Sequence, residues 1–265
     1  MCWLPRAKGK KVVVTIHGLD WARSKWGGFA SQYIKWGERE AVRRADEIIV
    51  LSRSVQDYFE REYHRKTVYI PNGISKPEKK EANEITKLWG LAKDSYVLFL
   101  GRIVPEKGLQ YLLDAWKGIH TDKKLVIAGG SSDTNEFLDS LKAIASENVI
   151  FTGFQQGQVL EELYSNAYVY TLPSDLEGMP LSLLEAMSYG NCCVVSDIPE
   201  CTEVVEDHAV RFPKGNIESL QTTLQTLLDN PQQVKEYKSS AAAFICNKYN
   251  WDDVVNETLH IYEMR

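Results

Sequence analysis

From residue 96 to residue 196, apolar runs of strand length alternate with helical stripes, and a chain written this way folds as α/β around a parallel sheet. The runs are Tyr96–Leu100, Lys124–Ala128, Val149–Thr152, Ala167–Leu172 and Cys192–Ser196. Between the first two, Leu109, Leu112, Leu113, Trp116 and Ile119 recur with the 3.6-residue period of one helix face. Further helices are expected at Glu136–Ala145, Val159–Ser165 and Leu181–Tyr189. After Arg211-Phe212, Asn216 can cap a helix bearing Ile217, Leu220, Leu224, Leu227 and Leu228. A last helix starts near Asn250, with Asp252 and Asp253 in the first turn, where the helix dipole favours acids.

The amino-terminal part follows the same grammar with fewer elements. Strands are expected at Lys11–Ile16, Glu47–Leu51 and Thr67–Ile70. Helices are expected at Ser31–Ala45, with Tyr33, Ile34, Trp36 and Val42 as core contacts, and at Val55–Tyr63. Pro71-Asn-Gly73 marks a turn, and the polar run Ser75–Ala82 leads into a short helix near Asn83–Trp89. The expected organisation is a partial Rossmann-like domain over 1–74, a linker over 75–94, a complete Rossmann-like domain over 95–249, and a carboxy-terminal helix over 250–265 packing back on the amino-terminal part.

Composition narrows the function classes. The 265 residues are 44% apolar and 25% charged, ordinary for a globular chain able to bury a core without staples. A net charge of −5 gives no footprint for nucleic acid, and pairs such as Arg43–Arg44 and Lys79–Lys80 read as solvated faces. The five cysteines (Cys2, Cys192, Cys193, Cys201, Cys246) include no CxxC. A disulfide framework or zinc site is therefore not expected, and a cytoplasmic setting is. Cys192 and Cys193 read as small core residues. No run is long enough for a membrane span, which leaves peripheral contact at the inner face of a membrane open.

Two segments carry chemistry. In Leu172-Pro-Ser-Asp-Leu-Glu-Gly-Met-Pro-Leu-Ser-Leu-Leu-Glu-Ala-Met187, Glu177 closes a loop after a strand, Gly178 allows close backbone approach, Pro180 suits a first helical turn, and Glu185 lies within the helix. Such a junction presents free N–H groups and a positive dipole end, and carboxylates suit sugar hydroxyls. By itself the pair reads first as an ordinary N-terminal glutamate and a solvated helix glutamate. In Phe99-Leu-Gly-Arg-Ile-Val-Pro-Glu-Lys-Gly-Leu109, Arg102 and Lys107 flank a turn before a helix, where two cations would neutralise a diphosphate. An ordinary charged loop is the alternative. Neither segment is a GxGxxG fingerprint or a P-loop.

Together these segments resemble glycosyltransferase family 4, the retaining family with the GT-B fold. The Gly-Arg…Glu-Lys-Gly loop and the Glu177-Gly-Met-Pro loop, with Glu185 eight positions on, match that family's donor-site pattern. So do Leu125-Val-Ile-Ala-Gly-Gly130, Phe151-Thr-Gly-Phe154, Leu163-Tyr164…Ala167 and Tyr170-Thr-Leu-Pro-Ser174, and the likeness covers about residues 12–262. The resemblance implies that Gly101, Arg102 and Lys107 meet the donor diphosphate, that Glu185 takes the ribose hydroxyls, and that Gly130 and Phe154 lie near the nucleotide. It also implies that Glu177 faces the transferred sugar, beside the backbone of Gly178, Met179, Pro180 and Leu181. His17, at the end of a strand in Thr15-Ile-His-Gly18, would approach the donor sugar; a strand-end histidine with an ordinary hydrogen bond is the other reading. Trp21…Lys25-Trp26 and the run from Ala45 to Ser54 resemble members that transfer rhamnose or related sugars.

The implied reaction is retaining transfer from a nucleotide-diphosphate sugar to a glycan or lipid-linked acceptor, with no metal and no other cofactor. Consistently, the sequence holds no Asp-x-Asp. Full family members carry a Gly-rich first loop that this sequence does not show, so about half of the acceptor domain is expected to be missing. That opens a second reading, a donor-binding subunit needing a partner chain, with exposed sheet edges favouring a partner or self-association. A nucleotide-sugar epimerase would need more acid–base residues than His17.

Overall fold

A computed structural model describes residues 3–19, 21, 28–131 and 135–263, so Lys25 and Trp26 lie outside the described residues. The chain divides into two units, one of residues 1–73, 176–180 and 249–265, the other of residues 74–175 and 181–248.

The first unit holds a parallel sheet of three described strands, β1 (Val13–Ile16), β2 (Glu47–Val50) and β3 (Val68–Tyr69), in that order. Val13 stands opposite Glu47 and Ile49 opposite Val68. Alternation along β2 supplies both faces. Ile48 and Val50 bury against Ala45, just past helix Gly28–Arg44, and against Val55, Tyr58 and Phe59 of helix Arg53–Tyr63. Ile49 points the other way and joins Ile70 and Ile261, the latter on the carboxy-terminal helix Trp251–Glu263. Ser52 caps Arg53–Tyr63 by accepting from the Val55 N–H at 3.4 Å.

One expectation fails here. Ile34 and Val42 lie at the partly buried side of Gly28–Arg44, but Tyr33 and Trp36 are 67% and 56% exposed. The buried position on that helix goes instead to Glu38, whose carboxylate accepts from Tyr58 (2.9 Å), Tyr63 (2.6 Å) and Trp21 (3.2 Å). Three donors replace the water that a buried carboxylate loses, and that fixes which side of the helix turns inward.

The second unit is built on six parallel strands, β4 (Tyr96–Leu100), β5 (Lys124–Ala128), β6 (Val149–Gly153), β7 (Val169–Leu172), β8 (Cys192–Ser196) and β9 (Val210–Phe212), ordered β6-β5-β4-β7-β8-β9. The chain starts in the middle, runs outward to β6, then returns to the other side of β4. This is the doubly wound order, and the reversal between β4 and β7 opens a crevice at the strands' carboxyl ends. The central strands are buried on both faces, and Cys192 and Cys193 sit in β8 as core residues. Helix Pro231–Lys248, which buries Val234, Ala241 and Ile245, and strand β9 extend the sequence reading.

Residues 75–94, whose composition suggested a linker, cluster with this unit. The Lys80 N–H donates to Ser165 Oγ at 2.9 Å, and the N–H groups of Asn83 and Ile85 donate to one oxygen of buried Glu162 at 3.0 and 3.1 Å. Among the described residues, no helix is long and apolar enough to cross a membrane.

Candidate functional site

The carboxyl ends of β4, β5 and β6 stay bonded beyond the strands. The N–H of Gly101 donates to the Ala128 carbonyl (3.0 Å), that of Ile103 to Gly130 (2.9 Å), and that of Gly129 to Gly153 (2.9 Å). The three exits are thereby drawn together, and glycine makes this possible. A Cβ on Gly129 would stand 1.8 Å from the Gly101 carbonyl oxygen, at a φ of +152°. Around these exits lies a cavity of about 430 Å³, lined among others by Leu100, Arg102, Gly130, Ser131, Phe154 and Gln155. Its size and largely apolar lining, with backbone groups and one guanidinium, suit a nucleotide-sized ligand. Phe154 is 74% exposed, a ring held open to solvent rather than in the core.

Lys107 ends the 3-10 turn Pro105–Lys107 and is only 8% exposed. Its Cε lies 3.9 Å from where a Cβ on Gly101 would sit, so its stem runs along the end of β4 beside the cavity wall. The turn is held from the β7 side. The Asp175 N–H donates to the Glu106 carbonyl (2.8 Å), Tyr111 donates to Asp175 (3.0 Å), and Gly108, at φ +67°, packs so tightly that a Cβ would meet the Pro173 oxygen at 2.0 Å. Lysine is seldom buried, and the turn fixes this one beside a strand end.

Glu185 lies in helix Leu181–Ser188 and is half-buried. The Tyr164 hydroxyl donates to one of its oxygens at 2.8 Å. Burial, and then the neighbouring Tyr170 and Glu185, push the Tyr164 phenol up, so it stays a donor. Tyr170 completes the frame, with its hydroxyl 2.9 Å from Ser182 Oγ and 3.3 Å from the Leu100 carbonyl. One phenol thus ties the first turn of the Glu185 helix to the end of β4. Neither tyrosine was singled out from the sequence except within a supporting stretch. Their signal was a polar aromatic inside an apolar run, where the hydroxyl must find a partner.

The remaining expected residues belong to the first unit, except Leu181, which opens the Glu185 helix and is exposed. His17 follows β1 and its side chain is exposed. Its carbonyl oxygen lies 2.0 Å from where a Cβ on Gly178 would be, and Gly178 Cα lies 3.0 Å from the corresponding point on Gly18. Only glycine permits this contact between the His17-Gly18 and Glu177-Gly178 backbones. The next residue, Met179, places its sulfur 3.1 Å from the Asn72 N–H, and Pro180 is buried. The structure therefore places Gly101, Arg102, Lys107, Gly130 and Phe154 at the carboxyl ends of β4–β6, ties the helix of Glu185 to the end of β4 through Tyr170, and brings the His17 backbone against Gly178 at the end of β1. Among the described residues, no cluster of histidine, cysteine, aspartate and glutamate could hold a metal.

Comparison with known proteins agrees with this architecture. Residues 82–249 match the family described as glycosyl transferases group 1, and residues 1–76 match glycosyltransferase family 4. An uncharacterized glycosyltransferase of Methanocaldococcus jannaschii is 32% identical over 179 residues, which cover 64% of this chain and 45% of that protein. The alpha-maltose-1-phosphate synthase of Mycolicibacterium smegmatis is 27% identical over 279 residues, covering 94% of this chain and 72% of that one. The present chain thus spans less than half of the first relative and about three quarters of the second. Among solved structures, Anabaena HepE in complex with UDP-glucose superposes with a TM-score of 0.86 at 20% identity, over 98% of this chain and 74% of that one. The fold is that of the GT-B glycosyltransferases, with parallel sheets in two Rossmann-like units. With its second unit matched almost throughout, the chain belongs to the group 1 glycosyl transferases.

Proposed function

We propose that the chain binds a nucleotide-diphosphate sugar at the carboxyl edge of the six-stranded sheet and transfers the sugar, with retention, to a glycan or lipid-linked acceptor. The observation that carries this reading is the cavity at the exits of β4, β5 and β6, with Arg102 on its wall and Lys107 fixed beside Gly101. As the sugar–phosphate bond breaks, negative charge grows on the leaving diphosphate. Lys107, held by its turn, and Arg102, exposed on the cavity wall, supply the positive charge that stabilises it, and charge placed in this way commonly supplies much of the rate enhancement. Glu185, with one oxygen held by Tyr164, takes the ribose hydroxyls. Phe154 and Gly130 flank the base, and His17 and Glu177 are assigned to the transferred sugar. The leaving phosphate accepts the acceptor's proton as the new glycosidic bond forms. HepE was solved with UDP-glucose, a donor of the same chemistry.

The test is a thermal-shift panel of uridine, guanosine, adenosine and thymidine diphosphates. One of them, at about a hundred times its Kd, should stabilise the chain by about 2.7 kcal/mol. Arg102→Ala or Lys107→Ala should remove most of that shift, and an unchanged shift would sink the assignment. Because the two cations carry the charge, turnover should persist in EDTA; its abolition, with recovery on adding Mg²⁺, would mean that a metal shares the work.

A second reading has its own observation. β1 pairs only with β2 among the described strands, which leaves its other edge free for a partner chain or a second copy. Binding of the diphosphate without turnover by the purified chain alone would favour a donor-binding subunit.

A further inference from the structure

The edge of the six-stranded sheet opposite the donor cavity gathers lysines. Lys93 and Asp94 lie just before β4, Lys123 before β5, Tyr168 before β7 and Gly190 before β8, and helix Pro231–Lys248 brings Lys238 to the same edge. Asp94 adopts a left-handed φ of +59°, and its N–H donates to the Asn166 carbonyl at 2.8 Å. It offers two acceptors to the lysines: its carboxylate takes Lys238 at 2.6 Å and its carbonyl takes Lys123 at 2.8 Å. Lys238 also donates to the Ala167 carbonyl at 2.8 Å. Both ammonium groups lie over the Tyr168 ring, that of Lys123 at 4.3 Å and that of Lys238 at 5.6 Å from its centre.

Two further lysines join them. Lys79–Lys80 reads from the sequence as a solvated pair, and Lys80, 2.6 Å from Glu78, behaves as one. Lys79 does not. Its ammonium lies 3.2 Å from where a Cβ on Gly190 would be, and the Lys238 carbonyl lies 3.4 Å from the same point. Partial burial, and then the charges of Lys238 and Lys93, push the Lys79 amine below its ordinary value, while Asp94 pulls the other way. Among the described residues, neither Lys79 nor Lys93 has an ion-pair or hydrogen-bond partner for its ammonium group. Four lysines bring +4 and Asp94 brings −1, an excess of +3 within a chain of net charge −5. We propose that this cluster binds a phosphate group, carried by inorganic phosphate or by a small phosphate ester. Ammonium groups are point charges with three donors each, which suit the several oxygens of a tetrahedral anion. A phosphate carries close to two negative charges at neutral pH and so offsets more of the excess than a carboxylate would. A nucleotide fits less well, because Tyr168 is only 7% exposed and carries both lysines, leaving no ring face for a base. The five residues of β4, about 16 Å of strand, separate this site from the donor cavity.

The experiment is trace acetylation of the intact chain with acetic anhydride, read lysine by lysine by mass spectrometry, in chloride and in inorganic phosphate at one ionic strength. At about ten times its Kd, phosphate should protect Lys79 and Lys93 about tenfold, since about one site in eleven then stays empty. Lys66, exposed in the first unit, should label equally in both buffers. In calorimetry, Lys79→Ala/Lys93→Ala should weaken phosphate binding about tenfold or more, whereas Arg102→Ala/Lys107→Ala should leave it intact. Lys79 and Lys93 are exposed residues without partners among those described, so their variant should melt with the parent. Glycerol phosphate, titrated alongside, separates the two sources: tighter binding than inorganic phosphate assigns the site to an ester, equal binding to the free ion, and either upholds it. Equal protection of Lys66, Lys79 and Lys93 would reduce the effect to charge screening and overturn the inference, as would no binding at all. Binding lost only in Arg102→Ala/Lys107→Ala would also overturn it, by placing the phosphate in the donor cavity. That last result would leave the donor assignment standing, so the two readings fail separately.

Discussion

At the scale of single residues, Glu185 depends on a group that touches no substrate. The Tyr164 hydroxyl donates to it from a fully buried position. Tyr164→Phe keeps the packing and deletes the donor, so it should cost about 1.5–3 kcal/mol in unfolding free energy, the range for a lost bond to a charged group. It should also weaken nucleoside diphosphate binding, because Glu185 would then be free to change rotamer. A variant that loses stability but keeps the parent's diphosphate shift would restrict Tyr164 to packing. Gly108 makes the same point for backbone. In Gly108→Ala the new Cβ would collide with the Pro173 oxygen in a left-handed conformation, costing about 1–3 kcal/mol and displacing Lys107. Loss of the diphosphate shift at a temperature where the variant is still folded would show it; a retained shift would mean that the turn adapts.

Residues such as these show how much was legible beforehand. Arg102, Lys107 and Glu185 stand in a pattern that can be recognised in order along the chain. Gly129 stands in the same pattern, but its collision with Gly101 exists only after β4 and β5 pair. The cavity is made from three strand exits separated by about 25 residues each, and spacing alone does not say which exits adjoin; the strand order does. Tyr33 and Trp36 failed for a different reason. Ile34, Ala41 and Val42 mark one helical stripe and Phe29, Tyr33 and Trp36 another, and hydrophobicity alone favours burying the larger rings. Three hydrogen-bond donors waiting for Glu38 decided otherwise, and they come from positions 21, 58 and 63.

At the scale of elements, Glu162 joins two helices. From helix Gly157–Asn166 it caps the start of helix Glu84–Trp89, accepting from the N–H groups of Asn83 and Ile85, while Gln158 donates to its other oxygen at 2.8 Å. Burial pushes its pKa up, but the bonds from Gln158 and the backbone outweigh burial and leave it below the usual 4.5. A carboxyl depressed in the folded state stabilises the fold above its unfolded pKa and loses that contribution as pH falls through the folded value. Stability should therefore decline as pH drops from about 5 into the range below 4.5. Glu162→Gln should flatten that limb while lowering stability at neutral pH. Parallel acid limbs in urea unfolding of parent and variant would assign the loss to other carboxyls. The polar run before this cap reads as linker from composition, since only the partner helix reveals that its backbone N–H groups have an acceptor. Helix Pro231–Lys248 was hidden similarly, burying only Val234, Ala241 and Ile245 along 18 residues.

At the scale of the whole molecule, the units are not consecutive in the chain. The first takes its sheet from residues before 74, a five-residue loop from 176–180, and its last helix from beyond 249. That helix supplies Ile261 and Val254 to the face of β2 opposite the one covered by helices Gly28–Arg44 and Arg53–Tyr63, and Trp251 stacks so closely on Gly73 that a Cβ there would meet its ring at 2.5 Å. A three-stranded sheet with one apolar face open to water is marginal. Ending the chain after Lys248 should therefore melt the first unit and leave the second folded, because the second keeps all six strands. Hydrogen exchange would read this directly, with β1–β3 amides losing protection and β4–β8 amides keeping theirs. Arg102, Lys107 and Glu185 all remain in the shortened chain, so it should still be stabilised by nucleoside diphosphate even where turnover is gone. Undiminished protection of β2 would show that Ile49 and Ile70 do not need Ile261. Loss of both protection and nucleotide stabilisation throughout the chain would show instead that the two units fold as one.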